Sequence, residues 1–368
     1  MTEEILNKDI AQLTELYGIQ GDMTSFGPVG DGHINDTIKV NFVKKGIKSS
    51  YIYQRLNTEI FEDPYTVMSN VKKVTDYIAK TFGKDSPQAS MILGFMLNRD
   101  GENYTMIDGR FWRLSRFVLS RTYTVITDGE VLYNTGHAFG SFQNILSGMD
   151  ASTLCETIPE FHNTRKRATD CLRGAELDVC GRAAECTREI EFIEKHKTYF
   201  SKLVELHEEG VLPYRATHND TKYNNILIDI DTGRPVCVID LDTIMPGLSA
   251  YDFGDAIRFG ANLTTEDDRD LSRVSMSLGY YERFADGFIS QVKNFITPAE
   301  KDSMALSALT MTYECASRFL LDYLQGDVYF KTHRQGHNLD RARNQIRLCE
   351  DMMAKYDKMC SAVDRYYC

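Results

Sequence analysis

The stretch that most limits what this chain can fold into runs from Ala216 to Asp242. A polar run, His218 to Asn225, is followed by a short apolar segment, Ile226-Leu227-Ile228. Asp231-Thr232-Gly233 supplies a turn, and a second apolar segment, Val236 to Ile239, leads into Asp240 and Asp242. Two such segments around an Asp-Thr-Gly turn predict a β-hairpin. A hairpin brings its outer ends together, so Asp220 and Asn225 are expected beside Asp240 and Asp242. Three carboxylates and a carboxamide at one rim repel one another unless a cation lies between them. An all-oxygen set of this kind suits Mg²⁺, above all where substrate phosphates complete its shell.

The segments before this hairpin read mainly as strands. Leu6, Ile10, Leu13 and Leu16 recur at helical spacing and open the chain with an amphipathic helix over residues 3–17. Gly30-Asp31-Gly32-His33 then precedes an alternating strand with Ile38, Val40 and Phe42 on one face. Glycines in such a loop let backbone N–H groups approach a phosphate. Residues 51–57 read as the next strand, and Pro64 opens a helix to Phe82. Met91–Leu97 and Tyr104–Ile107 are expected as strands, and 111–118 completes a sheet. From Thr127 onward the periodicity is helical, over 128–147, 188–209, 266–290, 298–325 and 337–365. Strands first and helices later predict an α+β fold in two lobes, residues 1–120 and 121–368. At 368 residues the chain is long enough to bury a sizeable core in each.

The formal net charge of −11 disfavours nucleic acid and anionic membranes as partners, since both select basic surfaces. No run approaches the ~20 apolar residues of a membrane helix, and Glu3, Glu4, Lys8 and Asp9 are unlike a secretory leader. The nine cysteines are odd in number, scattered, and form no Cys-x-x-Cys pair, so reduced thiols in a cytoplasmic protein are expected.

His218-x-Asp220-x-x-x-x-Asn225, followed by Ile239-Asp240, resembles the catalytic core of the aminoglycoside phosphotransferase and choline kinase-like superfamily. These are small-molecule relatives of the protein kinases, whose catalytic loop has a similar Asp-to-Asn spacing. Within it the resemblance is to the N-acetylhexosamine 1-kinases, and it runs through most of the chain. It includes Gly30 to Asn35, Thr217 to Lys222, Ile239 to Gly247, Asp252-Phe253-Gly254-Asp255, Arg318-Phe319-Leu320 and His337-Asn338-Leu339.

The resemblance implies a two-lobed protein-kinase-like fold, with an antiparallel sheet in the N-terminal lobe and the catalytic hairpin in the helical C-terminal one. It implies Asp220 as catalytic base, Asn225, Asp240 and Asp242 as Mg²⁺ ligands, and ATP as phosphoryl donor. Lys222 is a candidate for the γ-phosphate, and His218 is expected to brace the loop rather than react. His33, Arg318, Tyr329, Asn219 and Phe259 are expected at the sugar, with Arg258 a weaker candidate. Gly30, Gly32, Gln54, Arg116 and Val118 are expected at the nucleotide. In kinase-like folds the strand at 51–57 offers a lysine to the phosphates. Here Gln54 holds that place, a departure the hexosamine kinases share, and the group that grips the phosphates stays open.

The implied activity is phosphorylation of the anomeric hydroxyl of N-acetylglucosamine or N-acetylgalactosamine. Two alternatives stand beside it: the same fold acting on an aminoglycoside, choline, homoserine or another sugar, and a nucleotide-binding pseudokinase. The preferred epimer and the oligomeric state are not legible in the sequence.

Overall fold

A computed structural model describes residues 3–30 and 35–368. The chain opens with helix α1 (Glu3–Leu16) and three strands, β1 (Asp22–Pro28), β2 (Asp36–Lys44) and β3 (Ile47–Arg55). Helix α2 (Pro64–Phe82) and a single turn, α3 (Pro87–Ser90), lead to β4 (Thr105–Ile107) and β5 (Arg110–Arg116). These five strands form one antiparallel sheet in the order β1-β2-β3-β5-β4. The alternation in β2 turns Ile38, Val40 and Phe42 onto one face, where Ile10 and Leu13 of α1 cover them. Arg110 fixes that helix by a two-pronged ion pair to the buried Asp9, at 2.6 and 2.7 Å. The opposite face, carrying Gln54 and Arg113, turns toward the rest of the molecule.

Strand β1 is an addition to the expected sheet, since Phe26-Gly27-Pro28 pair with β2 rather than lying wholly in a loop. The expected strand at 91–97 is absent. That segment makes only two isolated bridges, Ile92 to Val238 and Phe95 to Ser115. It crosses from one sheet to the other, and neither pairing extends far enough to become a ladder.

The chain then passes through β6 (Arg121–Thr122) into helices α4 (Gly129–Ile145), α5 (Thr164–Leu177), α6 (Thr187–Phe200) and α7 (Lys202–Glu208). Strand β7 (Arg215–Thr217) introduces the polar stretch from His218 to Asn225, and the predicted hairpin forms from β8 (Ile226–Ile228) and β9 (Pro235–Val238). Strand β10 (Met245–Gly247) pairs back onto β7. Helices α8 (Ser249–Gly260), α9 (Leu278–Val292), α10 (Pro298–Leu324) and α11 (His337–Tyr367) complete the fold. The expected α+β architecture, a small antiparallel sheet before a larger helical part, is the one observed.

Helix α9 starts at Leu278 rather than near 266. Asp268 and Asp270 hold the preceding turns by accepting backbone N–H bonds at 2.9 and 3.1 Å, and Ser277 caps the helix. Short polar side chains of this kind compete with the helical backbone for its own hydrogen bonds. Central helix α10 begins on Pro298 with a reciprocal Thr297–Glu300 cap and is buried on nearly every side. Helix α4 meets α9 at glycines, because a Cβ on Gly136 would lie 2.3 Å from the Phe284 carbonyl oxygen.

Candidate active site

The hairpin register sets the site. Ile226 pairs with Val238, and the Ile239 amide donates to the Asn225 carbonyl at 3.0 Å, so the two outer ends meet. Asn225 Nδ2 donates to the Asp220 backbone oxygen at 2.9 Å and to its carboxylate at 3.1 Å. Asp240 adopts a left-handed conformation (φ 60°) where the chain leaves β9, which turns its side chain back toward this rim. Asp220, Asn225 and Asp240 thus come together as the spacing predicts.

The loop that carries Asp220 is held from beneath. His218 is buried, its Nε2 donating to the Ile239 carbonyl at 2.9 Å and its Nδ1 accepting from the Asp220 amide at 3.3 Å. Both ring nitrogens are spent on backbone, so the imidazole braces the loop. Below it, Asp252 at the start of α8 accepts from the His218 amide at 3.1 Å, the Asn219 amide at 2.8 Å and Gln143 Nε2 at 2.7 Å. Asp255, one turn on, accepts from the Thr221 amide at 3.0 Å. Burial raises the Asp252 carboxyl above its usual range, against the pull of these donors. The sequence resemblance included Asp252 and Asp255, but not their work as supports of the loop that carries Asp220. Their three-residue spacing on one helix face was the available signal.

Lys222 Nζ lies 2.7 Å from Asp220. Burial pushes the Asp220 carboxyl up, but Lys222 and His218 outweigh it and hold the group below its usual range. Asp240 goes the other way. Burial, then the charges of Asp242 and Asp220, push it up to about 7. Its carboxylate has no hydrogen-bond or ion-pair partner among the described residues. A carboxylate left unpaired next to two others is short of a cation. Among the described residues no three His, Cys, Asp or Glu side chains form a closed metal cage. Mg²⁺ does not require one, since one or two carboxylates and substrate phosphates suffice. Asp240 with Asn225 fits such an ion.

Asp242 is placed differently. Its Oδ1 accepts from Arg113 Nη1 of β5 and its Oδ2 from Asn35 Nδ2, just before β2, at 2.7 Å, so both oxygens already have partners. Arg113 is in turn gripped by Gln54 Oε1, at 2.8 and 2.6 Å, and stacks 4.5 Å from the Phe95 ring. Gln54 therefore spends its oxygen on Arg113 and its amide on Thr37. Arg113 was not foreseen, because a buried strand arginine carries no motif.

Of the residues expected at the nucleotide, Gly30 (φ 81°) ends the turn after β1, and Arg116 is exposed at the end of β5. The Val118 carbonyl accepts from Ser120 Oγ at 2.9 Å. Gly32 and His33 lie outside the described residues. On the Gln54 face of the sheet, Lys39 stands 3.5 Å over the Phe117 ring, a cation the sequence did not single out.

On the other side of the Asp220 loop, Asn219 (φ 63°) turns inward. It is buried, with Oδ1 bound to Thr217 and Nδ2 donating to the Thr243 carbonyl at 3.0 Å. Its expected place against a substrate is corrected: the carboxamide stitches the loop. Phe259 packs against Tyr223 with the rings tilted and 5.0 Å apart, and Arg258 is paired with Asp255 and Glu266. Arg318, on α10, lies between the Phe161 and Phe330 rings at 5.1 and 5.5 Å. It has no carboxylate within ion-pair distance among the described residues. Glu314, one turn earlier, is occupied by His162 at 2.8 Å and Thr164 at 2.8 Å. His162 reaches on to the Asn219 carbonyl at 3.4 Å, which links the Arg318 face of α10 to the loop that carries Asp220. Tyr329 is largely exposed and meets Phe330 edge-on at 4.8 Å.

A family model described as "Phosphotransferase enzyme family" matches residues 27–285. Among solved structures, a spectinomycin phosphotransferase in complex with ADP and spectinomycin superposes at a TM-score of 0.60. Its identity is 11%, with 96% of this chain and 98% of that chain covered. An aminoglycoside phosphotransferase from Alicyclobacillus acidocaldarius gives 0.61 at 13% identity, over 94% of each chain. A choline kinase from Cryptosporidium parvum gives 0.57 at 11%, over 93% of each. At such identities the likeness speaks for the fold. Arg318 and Tyr329 lie beyond the stretch that the family model matches.

Proposed function

The chain belongs to the phosphotransferase enzyme family, and from that premise we propose that it is a kinase for a neutral amino sugar. The reaction is transfer of the γ-phosphoryl group of ATP to the anomeric hydroxyl of N-acetylglucosamine or N-acetylgalactosamine. Asp220 accepts the proton of the attacking hydroxyl, and Lys222 leaves its ion pair to meet the transferring group. Asn225 and Asp240 would hold Mg²⁺, which supplies charge neutralisation at the phosphates. His218, Asp252 and Asp255 do no chemistry but fix the loop. The nucleotide lies between the sheet and the hairpin, near the boundary at residue 120.

The observation that carries the acceptor is Arg318. Its guanidinium has two aromatic walls and no carboxylate within ion-pair distance among the described residues. Glu314, one turn earlier, feels its charge but is held by His162 and Thr164, and Arg167 is close enough to feel it too. Two cations at one wall repel choline, ethanolamine or an aminoglycoside. A neutral ring that offers hydroxyl and acetamide oxygens to the guanidinium and an apolar face to the aromatics is suited to it. Tyr329 and Phe259 are proposed to border the same acceptor.

An acceptor panel tests this reading. N-acetylhexosamines, unsubstituted hexoses, choline and aminoglycosides are each assayed for ATP-dependent phosphorylation, and the phosphorylated carbon is read by ³¹P–¹H NMR. Phosphate on C1 of an N-acetylhexosamine is expected. Turnover of choline or an aminoglycoside in preference to every sugar would remove the hexosamine assignment and leave the family.

A further inference from the structure

Kinase-like folds join their two lobes at the phosphates through a strand lysine and a helix glutamate. This chain has neither in place. Gln54 stands on the strand, and the inward face of α2 presents Met68, Asn70, Val71 and Val74 rather than an acid. The junction between sheet and hairpin is nonetheless direct. The Arg113 guanidinium, 1% exposed, spans from Gln54 on the neighbouring strand to Asp242, 3% exposed, on the far side. Asp242 stands two residues from Asp240, and its charge already acts on that carboxylate.

We propose that Arg113 is the positioning residue of the phosphate and metal end of the cleft, taking over from β5 the lobe-joining task of the missing lysine–glutamate pair. Gln54 has become its holder. The proposal rests on the phosphotransferase reading and deepens it. Nε and Nη2 are fixed by one oxygen of Gln54, which leaves Nη1 aimed at Asp242. Asp242, pinned by Arg113 on one oxygen and by Asn35 on the other, keeps one orientation beside Asp240. A rigid fork accomplishes this and a single ammonium does not, since lysine has no planar face with which to satisfy both neighbours. The role therefore depends on shape as well as charge.

The test separates the two. Arg113→Lys keeps the positive charge and loses the fork, whereas Gln54→Leu keeps the arginine and loses its holder. Each variant is melted without ligand to establish that it folds. Binding of ADP is then measured by isothermal titration calorimetry with chelator and with saturating Mg²⁺. Loss of a group that orients a metal-binding side chain typically weakens metal binding about 10- to 100-fold. Both variants are expected to lose about that much of the affinity that Mg²⁺ adds for ADP, read as the ratio of the dissociation constants with chelator and with saturating Mg²⁺. If Arg113→Lys does not fold, Gln54→Leu alone decides. Unchanged Mg²⁺-dependent affinity in the folded variants, with only a lower melting temperature, makes Arg113 a core stabiliser and overturns the proposal. A wild type that gains nothing from Mg²⁺ overturns the phosphotransfer reading instead.

Discussion

The Lys222 ammonium sits 2.7 Å from the Asp220 carboxylate, so the proposed base and its nearest cation are paired before any substrate arrives. Against the pull of burial, Asp220 and then Asp255 hold that lysine above its usual range. Asp220→Asn keeps the shape and the Asn225 contact but removes the basic oxygen. The rate is expected to fall by at least ~10²-fold, the usual size of a general-base contribution. Affinity for ADP should change little. Near-normal turnover of this variant would take the base role away from Asp220.

Arg318 yields a prediction of the opposite kind, because among the described residues it has no ion pair to lose. Replacing it by Leu is expected to leave the melting temperature nearly unchanged and to raise the KM of the sugar. A hydrogen bond to a charged group contributes about 1.5–3 kcal/mol, or roughly a 10- to 150-fold loss of sugar affinity. The KM of ATP should stay within about twofold, on the ordinary independence of separated sites. A variant that melts early and loses both substrates together would mark Arg318 as structural.

The catalytic rim was legible in the sequence because its logic is local. Asp220, Asn225 and Asp240 are joined by one short hairpin, and hairpin closure follows from two apolar runs and a turn. Asp242 was only half legible: its position follows from the hairpin, but its partners, Arg113 and Asn35, come from sequence separations of 129 and 207 residues. No periodicity reports such a contact. Asn219 misled for a related reason. A polar residue beside a catalytic Asp reads as exposed, yet its left-handed backbone turns the carboxamide inward onto Thr217 and Thr243. The segment 91–97 has strand composition, but it finds only one bridge on each side.

Asp252 separates loop support from chemistry. Its carboxylate accepts two backbone N–H groups of the catalytic loop and the Gln143 amide in a buried site. Asp252→Asn turns one acceptor into a donor facing donors, which costs about 1–3 kcal/mol for each buried group left unpaired. Denaturant unfolding should show that loss, and kcat should fall with the KM values of both substrates little changed. Lower stability with an unaltered kcat would mean that the loop keeps its geometry without Asp252.

Helix α9 offers two glycines on which the same substitution should have opposite effects. A Cβ on Gly287 would lie 2.2 Å from the Tyr133 carbonyl oxygen and 2.8 Å from the His137 amide, both backbone atoms of α4. Gly136 makes the reciprocal approach to Phe284 and Phe288, so neither helix can yield to the other without moving as a body. Overpacking of this kind costs about 1–3 kcal/mol or more. Gly279, in the first turn of the same helix, has only the Ser277 hydroxyl within 4 Å, at 3.8 Å. Alanine there removes freedom from the unfolded chain and is expected to stabilise by about 0.4–1 kcal/mol. Urea titrations of Gly287→Ala and Gly279→Ala should therefore move the midpoint in opposite directions. Helix α4 also carries Gln143, which holds Asp252, so displacing that helix by Gly287→Ala should reduce turnover as well as stability. Equal and small shifts for both variants would show that the two helices are not packed backbone to backbone.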